Sequence, residues 1–444
     1  MNSASEQTQP AVASASLLSK FLRIRAHSEQ IAAPLSAEDC CIQSMPDVSP
    51  IRWHLAHTTW FFETFLLKPL GNYRSYDDSF EYLFNSYYNS VGQQFPRHRR
   101  GLISRPGLEE TLNYRRHVDS QLVERLKEGV SLQTAETIRL GLQHEQQHQE
   151  LMLTDIKHVL SCNPLLPAYS PDDHIPKSTE PAESIDDTAH WLELDERIVE
   201  TGHAGELFCF DNELPRHRNL IHKHRIGRRL VTNGEFQQFV DDDGYERPKF
   251  WLSMGWDAVQ AGGWKGPLYW KDNDEFRMDG LVERDPYAPV THISYFEADA
   301  FSRWAGCRLP TEFEWEHSAA NHCKVEGEAI QNGVFADRSF DRGDGIGPHN
   351  NPHRNRPNSE LLDRTGQDWL GNVWEWTCSQ YTAYPGFTAA EGALGEYNGK
   401  FMCNQFVLRG GSCATSSDHI RTSYRNFFPP DARWQFSGIR LAKD

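Results

Sequence analysis

Apolar residues recur at helical spacing through the first third of the chain and in short, strand-like runs afterwards. Leu17, Leu18, Phe21, Leu22 and Ile24 lay an apolar stripe along a helix predicted over 15–33. Ser49-Pro50 reads as an N-cap followed by a first-turn proline. It opens a second helix over 48–68, IRWHLAHTTWFFETFLLK. Leu108, Leu112, Val118, Leu122 and Leu126 predict a third over 107–127, and 133–161, glycine-poor after Gly141, a fourth. Four such stripes predict an up-and-down bundle. The texture changes near residue 162. Prolines 164, 167, 171, 176 and 181 interrupt a stretch with little apolar periodicity, so 163–190 is expected to be a linker. From 191 onward short apolar runs alternate with Gly, Pro, Asn and Asp, and helical patterns stand out only at 232–241 and 294–304. The expected organisation is a helical domain over 1–162 and a loop-rich α+β domain over 191–444.

Composition narrows the function. A 444-residue chain that is 38% hydrophobic and 24% charged can bury two cores. Its net charge of −17 opposes general binding to nucleic acid or to an anionic membrane. No stretch approaches the length of a membrane span, and residues 1–21 read as a frayed tail rather than a signal peptide. The nine cysteines are odd in number and form no C-x-x-C pair. That argues against a disulfide framework or zinc ribbon and places the protein in a reducing cytoplasm. A homo-oligomer is compatible with all of this.

The sharpest local pattern is HEQQHQELMLTDIKH, beginning at His144. His144 and His148 are four apart on a continuous helix, which puts both imidazoles on one face. Glu150 lies about 200° round the helix from His148 and should point elsewhere. His158 lies about 15 Å further along, too far to share an ion. A third ligand must come from another helix, and WHLAHTTWFFE supplies His54 and His57. Periodicity alone does not choose between them. Three neutral imidazoles suit Fe(II), zinc, copper or nickel and leave up to three positions on an octahedral metal. Between the two histidine helices, Tyr87 and Tyr88 sit in a polar stretch that reads as loop, and a phenol there could donate a proton or an electron. Arg97, Arg99, Arg100 and Arg105 form a cationic cluster suited to a carboxylate, hence to an amino-acid substrate.

The second domain carries FDNELPRH (210–217), VTNGEFQQFV (231–240), PVTHISYFEADAFSRWAGCRLPTEFEWEHSA (289–319), GNVWEWT (371–377), VLRGGSCAT (407–415) and FSGIRLAK (436–443). These resemble the formylglycine-generating-enzyme (sulfatase-modifying factor) fold, an irregular C-type-lectin-like α+β domain. Within it, Trp374 and Trp376 alternate round Glu375 as in a strand with one buried face, and Gly410-Gly411 suits a close backbone bend. The first domain, with SPIRWHLAHTTWFFE and HEQQHQE, resembles a DinB-type four-helix metal domain. Together they resemble the sulfoxide synthases of ergothioneine biosynthesis. The resemblance implies a nonheme Fe(II) enzyme that uses O2 to join a thiol to C2 of the imidazole of hercynine, giving a sulfoxide. It implies His57, His144 and His148 as iron ligands, Gln147 beside the hercynine imidazole, and Arg425, Asn426 and Phe427 round the hercynine pocket. The copper-binding cysteines of true formylglycine-generating enzymes have no counterpart: Thr415 and Ile420 stand there, and Cys413 stands alone. The Asp and Arg of γ-glutamylcysteine-using members are replaced in FFPPDARW by Phe428 and Ala432. The SYYN loop resembles the branch that uses free cysteine, which makes Tyr87 and Tyr88 candidates for the catalytic phenol. Arg97 and Arg100 become candidates for the cysteine carboxylate, with Tyr381 and Tyr384 as alternatives for the phenol. The rivals are a histidine-using relative of the ovothiol pathway, a zinc-dependent DinB thiol transferase and a non-enzymatic lectin-like binding module.

Overall fold

The computed structural model of the protein describes residues 14–170, 188–322, 369–389, 391–392 and 395–444. Most of the predicted linker, at 171–187, and the tail at 1–13 lie outside the described residues. The chain divides into two compact units between Val159 and Leu160, in the last turn of a helix.

The first unit is built on α1 (Ser14–Ala32), α2 (Ile51–Phe62), a short α3 (Phe80–Phe84), α4 (Leu108–Glu128) and α5 (Leu132–Ser161). α2 starts one residue later than the expected cap-and-proline pair. Pro50 supplies the first helical carbonyl, to His54 N, and Ser49 does not cap. Every residue of α2 is buried, because α1, α4 and α5 all pack on it. Gly141 explains how α5 comes so close. A Cβ there would stand 2.7 Å from the Phe62 ring and 2.8 Å from Phe61, so only a glycine admits the two rings. Charge is buried as well. Glu145 receives Arg25 Nη1 and Ser28 Oγ at 2.9 and 2.6 Å and pairs with Arg115, tying α5 to α1 and α4. Burial alone would push the Glu145 carboxyl up, but Arg115, Arg25 and Ser28 bring it down to about 2.

The second unit is a set of small sheets. β1 (Trp191–Leu194), β4 (His224–Gly227) and β12 (Ala442–Lys443) form one antiparallel sheet, order β1-β4-β12. β2 (Arg197–Thr201) and β3 (His217–Ile221) form a hairpin, and β5 (Trp270–Lys271), β6 (Asp274–Arg277) and β7 (Gly280–Glu283) a meander. β8 (Trp374–Gln380), β9 (Phe406–Arg409), β10 (Asn426–Phe428) and β11 (Ser437–Gly438) make the fourth sheet, order β10-β9-β8-β11, with β11 parallel to β8. The expected helices appear as α6 (Asn233–Asp241) and α8 (Tyr295–Trp304), each opened by a capping box, Thr232 with Glu235 and Ser294 with Glu297. Among the described residues, two further helices of ten residues or more contradict the sequence expectation: α7 (Ser253–Gly262) and α9 (Glu312–His322). β8 is a second correction. Glu375 does not face solvent between the two tryptophans. It is buried, bonded by Arg440 at 2.7 and 2.9 Å and by Trp315 Nε1 at 2.6 Å, so both faces of the strand are covered. The Gly410-Gly411 bend is as expected. Both residues have positive φ, and a Cβ on Gly410 would meet the Trp369 carbonyl at 2.8 Å.

Candidate metal centre

α5 is a 30-residue helix, and its His144 and His148 sit one turn apart on the side that meets α2. α2 contributes His57. One ring nitrogen from each of these three histidines lies within 4.8 Å of the others. Nε2 of His57 is 3.2 Å from Nε2 of His144. Two nitrogens about 2.1 Å from a shared metal, at angles between square and tetrahedral, are about 3.0–3.4 Å apart, so this pair already spans a coordination edge. Nδ1 of His57 lies 2.6 Å from the Phe84 carbonyl, to which it donates, leaving Nε2 as the lone-pair nitrogen. The surroundings are aromatic. Trp53, His57 and Trp60 recur on one face of α2, with His57 stacked on Trp53 at 4.6 Å and on Trp60 at 5.7 Å. Phe61 flanks His144 at 5.0 Å.

Burial keeps all three imidazoles neutral. It is the main cause that holds His57 and His148 well below the ordinary histidine range, reinforced for both by the neighbouring histidines. His144 is brought down to about 4, mainly by burial and against the pull of Glu145. Three neutral, buried imidazoles, one of them oriented by the Phe84 carbonyl, fit a borderline divalent metal. Glu145, next to His144 in sequence, turns away to Arg25 and Arg115. Glu150 is buried outside the trio. His158 is hydrogen-bonded to Ser44 at 2.7 Å.

The loop candidates separate by burial. Tyr87 has positive φ, 70°, and its hydroxyl accepts from Arg97, whose other nitrogen binds the Asp47 carbonyl. Tyr88 is buried against Trp60, Phe61 and Phe65. Arg97 to Leu102 form a 3-10 turn that leaves Arg97 and Arg99 exposed but buries Arg100. The guanidinium of Arg100 lies 3.4 Å from the Trp53 ring centroid and donates to Ser49 Oγ at 2.9 Å and Ser86 Oγ at 2.8 Å. Among the described residues no carboxylate comes within ion-pair reach of it. Gln147, one residue before His148, is half-buried.

In the second unit, Asn426 and Phe427 lie on β10, half-buried. Phe427 stacks on Tyr381 at 4.0 Å, with the planes 9° apart. Arg425 does not present its guanidinium to a pocket. It is fully buried and bonded to Glu312 at 2.9 and 3.0 Å and to the carbonyls of Asn212 and Thr382, so it anchors the strand instead. Tyr384 shares that network, bonding Glu312 and Arg409. Trp53, Ser49, Ser86 and the Phe84 carbonyl were not anticipated. For Trp53 a signal existed: it stands four residues before His57.

Residues 193–444 match the family model of the sulfatase-modifying factor enzyme 1-like domain, and residues 20–152 match that of the DinB superfamily. The chain is 32% identical over 433 residues to a hercynine oxygenase of Mycobacterium tuberculosis, covering 95% of this chain and 97% of that one. The chain belongs to the hercynine oxygenase family. As a member it is an enzyme, an oxidoreductase. A second hercynine oxygenase, of Mycolicibacterium thermoresistibile, is 31% identical over 422 residues, covering 90% of this chain and 88% of that one. The second half alone is 30% identical over 285 residues to the formylglycine-generating enzyme of Streptomyces coelicolor, covering 54% of this chain and 84% of that one. This chain thus has a helical unit bearing three clustered histidines and a domain similar to formylglycine-generating enzymes.

Proposed function

We propose that this protein is an Fe(II)-dependent, O2-using oxygenase of ergothioneine biosynthesis that joins the sulfur of cysteine to C2 of the hercynine imidazole, giving hercynylcysteine sulfoxide. The observation that carries the reading is the cluster of His57, His144 and His148 in a chain that aligns end to end with named hercynine oxygenases. The stoichiometry closes with one dioxygen. An S–H and a C–H bond break, a C–S and an S–O bond form, and the second oxygen leaves as water.

Bound Fe(II) would supply open positions for the substrates and the electrons that activate O2. The chain's own residues do the rest. His57, His144 and His148 offer lone pairs without first losing protons. Trp53, Trp60 and Phe61 exclude water round them. Arg100, buried and without a carboxylate partner among the described residues, is the cation assigned to the cysteine carboxylate, with Arg97 as the second candidate. The Tyr87 hydroxyl oxygen accepts from Arg97, and Tyr88 lies buried next to Trp60; one of these two phenols delivers the proton or hydrogen atom. Gln147, Asn426 and Phe427 are assigned to hercynine on the resemblance alone.

The test is aerobic incubation of Fe(II)-loaded protein with hercynine and either cysteine or γ-glutamylcysteine, read by mass spectrometry. Hercynylcysteine sulfoxide from free cysteine is the expected product. A preference for γ-glutamylcysteine would remove the carboxylate role from Arg97 and Arg100. Absence of any C–S product would refute the reading.

A further inference from the structure

His54 is the histidine left over from the metal cluster. Its Nδ1 lies 2.8 Å from Nδ1 of His148, and its Nε2 lies 3.0 Å from Oδ2 of Asp155. The same Oδ2 receives the backbone N–H of Ser49 at 2.7 Å. His54, Asp155 and His148 are all buried, at 2, 3 and 8% exposure. Asp155 is seven residues past His148, two helical turns along the same face of α5, and His54 is three residues before His57 on α2. A carboxylate, an imidazole and a ligand imidazole therefore form one line across the helix pair.

We propose that His54 and Asp155 are positioning residues that select which nitrogen of His148 is offered to the metal. The argument is one of donors and acceptors. Oδ2 of Asp155 is an acceptor, since it takes the Ser49 amide, so Nε2 of His54 must donate to it. With a single N–H on the ring, spent on Asp155, Nδ1 of His54 is the accepting nitrogen. Nδ1 of His148 then carries its hydrogen and donates, and Nε2 of His148 holds the lone pair. Asp155 thus sets the tautomer of a ligand two rings away. His57 obtains the same result directly from the Phe84 carbonyl. The two histidines of the WHLAH segment divide the work: His57 ligates and His54 orients. This inference rests on the three-histidine site of the proposed function but on none of its substrate assignments.

The experiment titrates the metal-free full-length protein with Co(II) alone, no hercynine or thiol being present. Affinity and the visible ligand-field spectrum are read for wild type, His54→Leu, His54→Gln, Asp155→Leu and Asp155→Asn, with the melting temperature of each metal-free variant beside them. The two leucine variants should bind Co(II) about 10- to 100-fold more weakly, the loss seen when the partner of a ligating histidine is removed. Asp155→Asn keeps an amide oxygen that can accept from His54, and His54→Gln keeps one that can accept from His148. Both should recover most of the affinity and the wild-type spectrum. If one leucine variant does not fold, the other decides by the same loss of Co(II) affinity. Wild-type affinity in both leucine variants would overturn the proposal, as would melting temperatures that fall without any change in Co(II) affinity. Loss of Co(II) bands in His54→Gln would overturn it differently, by making His54 a ligand. A failed substrate assay would leave all these readouts untouched.

Discussion

Replacing Arg100 with methionine separates its part in folding from its part in binding. The guanidinium is 4% exposed, stacked on Trp53 and held by the Ser49 and Ser86 hydroxyls. Burial is the strongest influence on it and lowers its hold on the proton; Tyr87 and Asp155 oppose this and Arg97 adds to it. Its charge in turn helps to lower the pKa of His57 and of His148, so it acts near the three clustered histidines. Methionine forfeits two hydrogen bonds from a charged donor, about 1.5–3 kcal/mol each, and a cation–π contact of about 2 kcal/mol. It also removes the cost of burying a charge with no counter-ion, several kcal/mol. These terms offset one another, and an apolar side chain of similar length fills the space, so stability should stay within about 2 kcal/mol of the parent. Binding should not be spared. A cysteine carboxylate that loses a bidentate cation loses about 1.5–3 kcal/mol, a rise in cysteine KM of roughly tenfold to a hundredfold. The hercynine KM should be nearly unchanged. Oxygen consumption at varied cysteine and saturating hercynine measures the cysteine KM, and thermal unfolding measures the stability. A folded Arg100→Met enzyme with the parent cysteine KM would refute the assignment.

The remaining predictions concern both chemistry and stability. Tyr87→Phe or Tyr88→Phe should slow sulfoxide formation, and product analysis should show simple thiol oxidation in its place for the phenol that delivers the proton. Glu145 should confer acid sensitivity on the helical unit. Its carboxyl titrates near 2 when folded against 4.5 ordinarily, so its contribution is complete above about 4.5 and is lost as pH falls toward 2. That amounts to about 3 kcal/mol, and Glu145→Gln should flatten acid unfolding across this window while lowering stability at pH 7. Gly141→Ala should destabilise even though alanine favours helix by about 1 kcal/mol, because its methyl would stand 2.7 Å from Phe62. A raised melting temperature for that variant would show that α2 and α5 can separate without cost.

The helical unit was legible because its signals are local. Stripes of Leu and Phe at helical spacing mark α1, α2, α4 and α5, and i, i+4 spacing alone puts His144 and His148 on one face. α9 was missed because E-F-E-W-E alternates like a strand, although Thr311 and Glu314 already carried the sign of a helix start. Glu314 Oε2 accepts from Thr311 N at 2.7 Å, and Thr311 Oγ1 accepts from Glu314 N at 3.1 Å. Glu375 misled for another reason. Alternation in sequence marks a one-sided strand only when the polar face meets water, and Arg440 arrives from 65 residues away to cover it.

The sequence by itself put His144 and His148 on one face of α5, put Tyr87 and Arg97 in one stretch between the histidine helices and, through long-range motif resemblance, pointed to the family and to His57 as their companion. Periodicity did not choose between His54 and His57, because two histidines three apart share one helix face and differ only in what packs opposite them; in the tertiary structure it is His57 that clusters with His144 and His148. Asp155 and Ser49 draw His54 away, whereas the Phe84 carbonyl and His144 hold His57 in the cluster. The same holds for Arg100. Nothing in R-H-R-R distinguishes it from Arg97 or Arg99, and it becomes the buried cation because the 3-10 turn places it over Trp53. Spacing along a helix fixes which residues are neighbours on one element. Which of them acquires a donor, an acceptor or a counter-charge depends on residues far off in sequence, and those partners are assigned only when the elements pack.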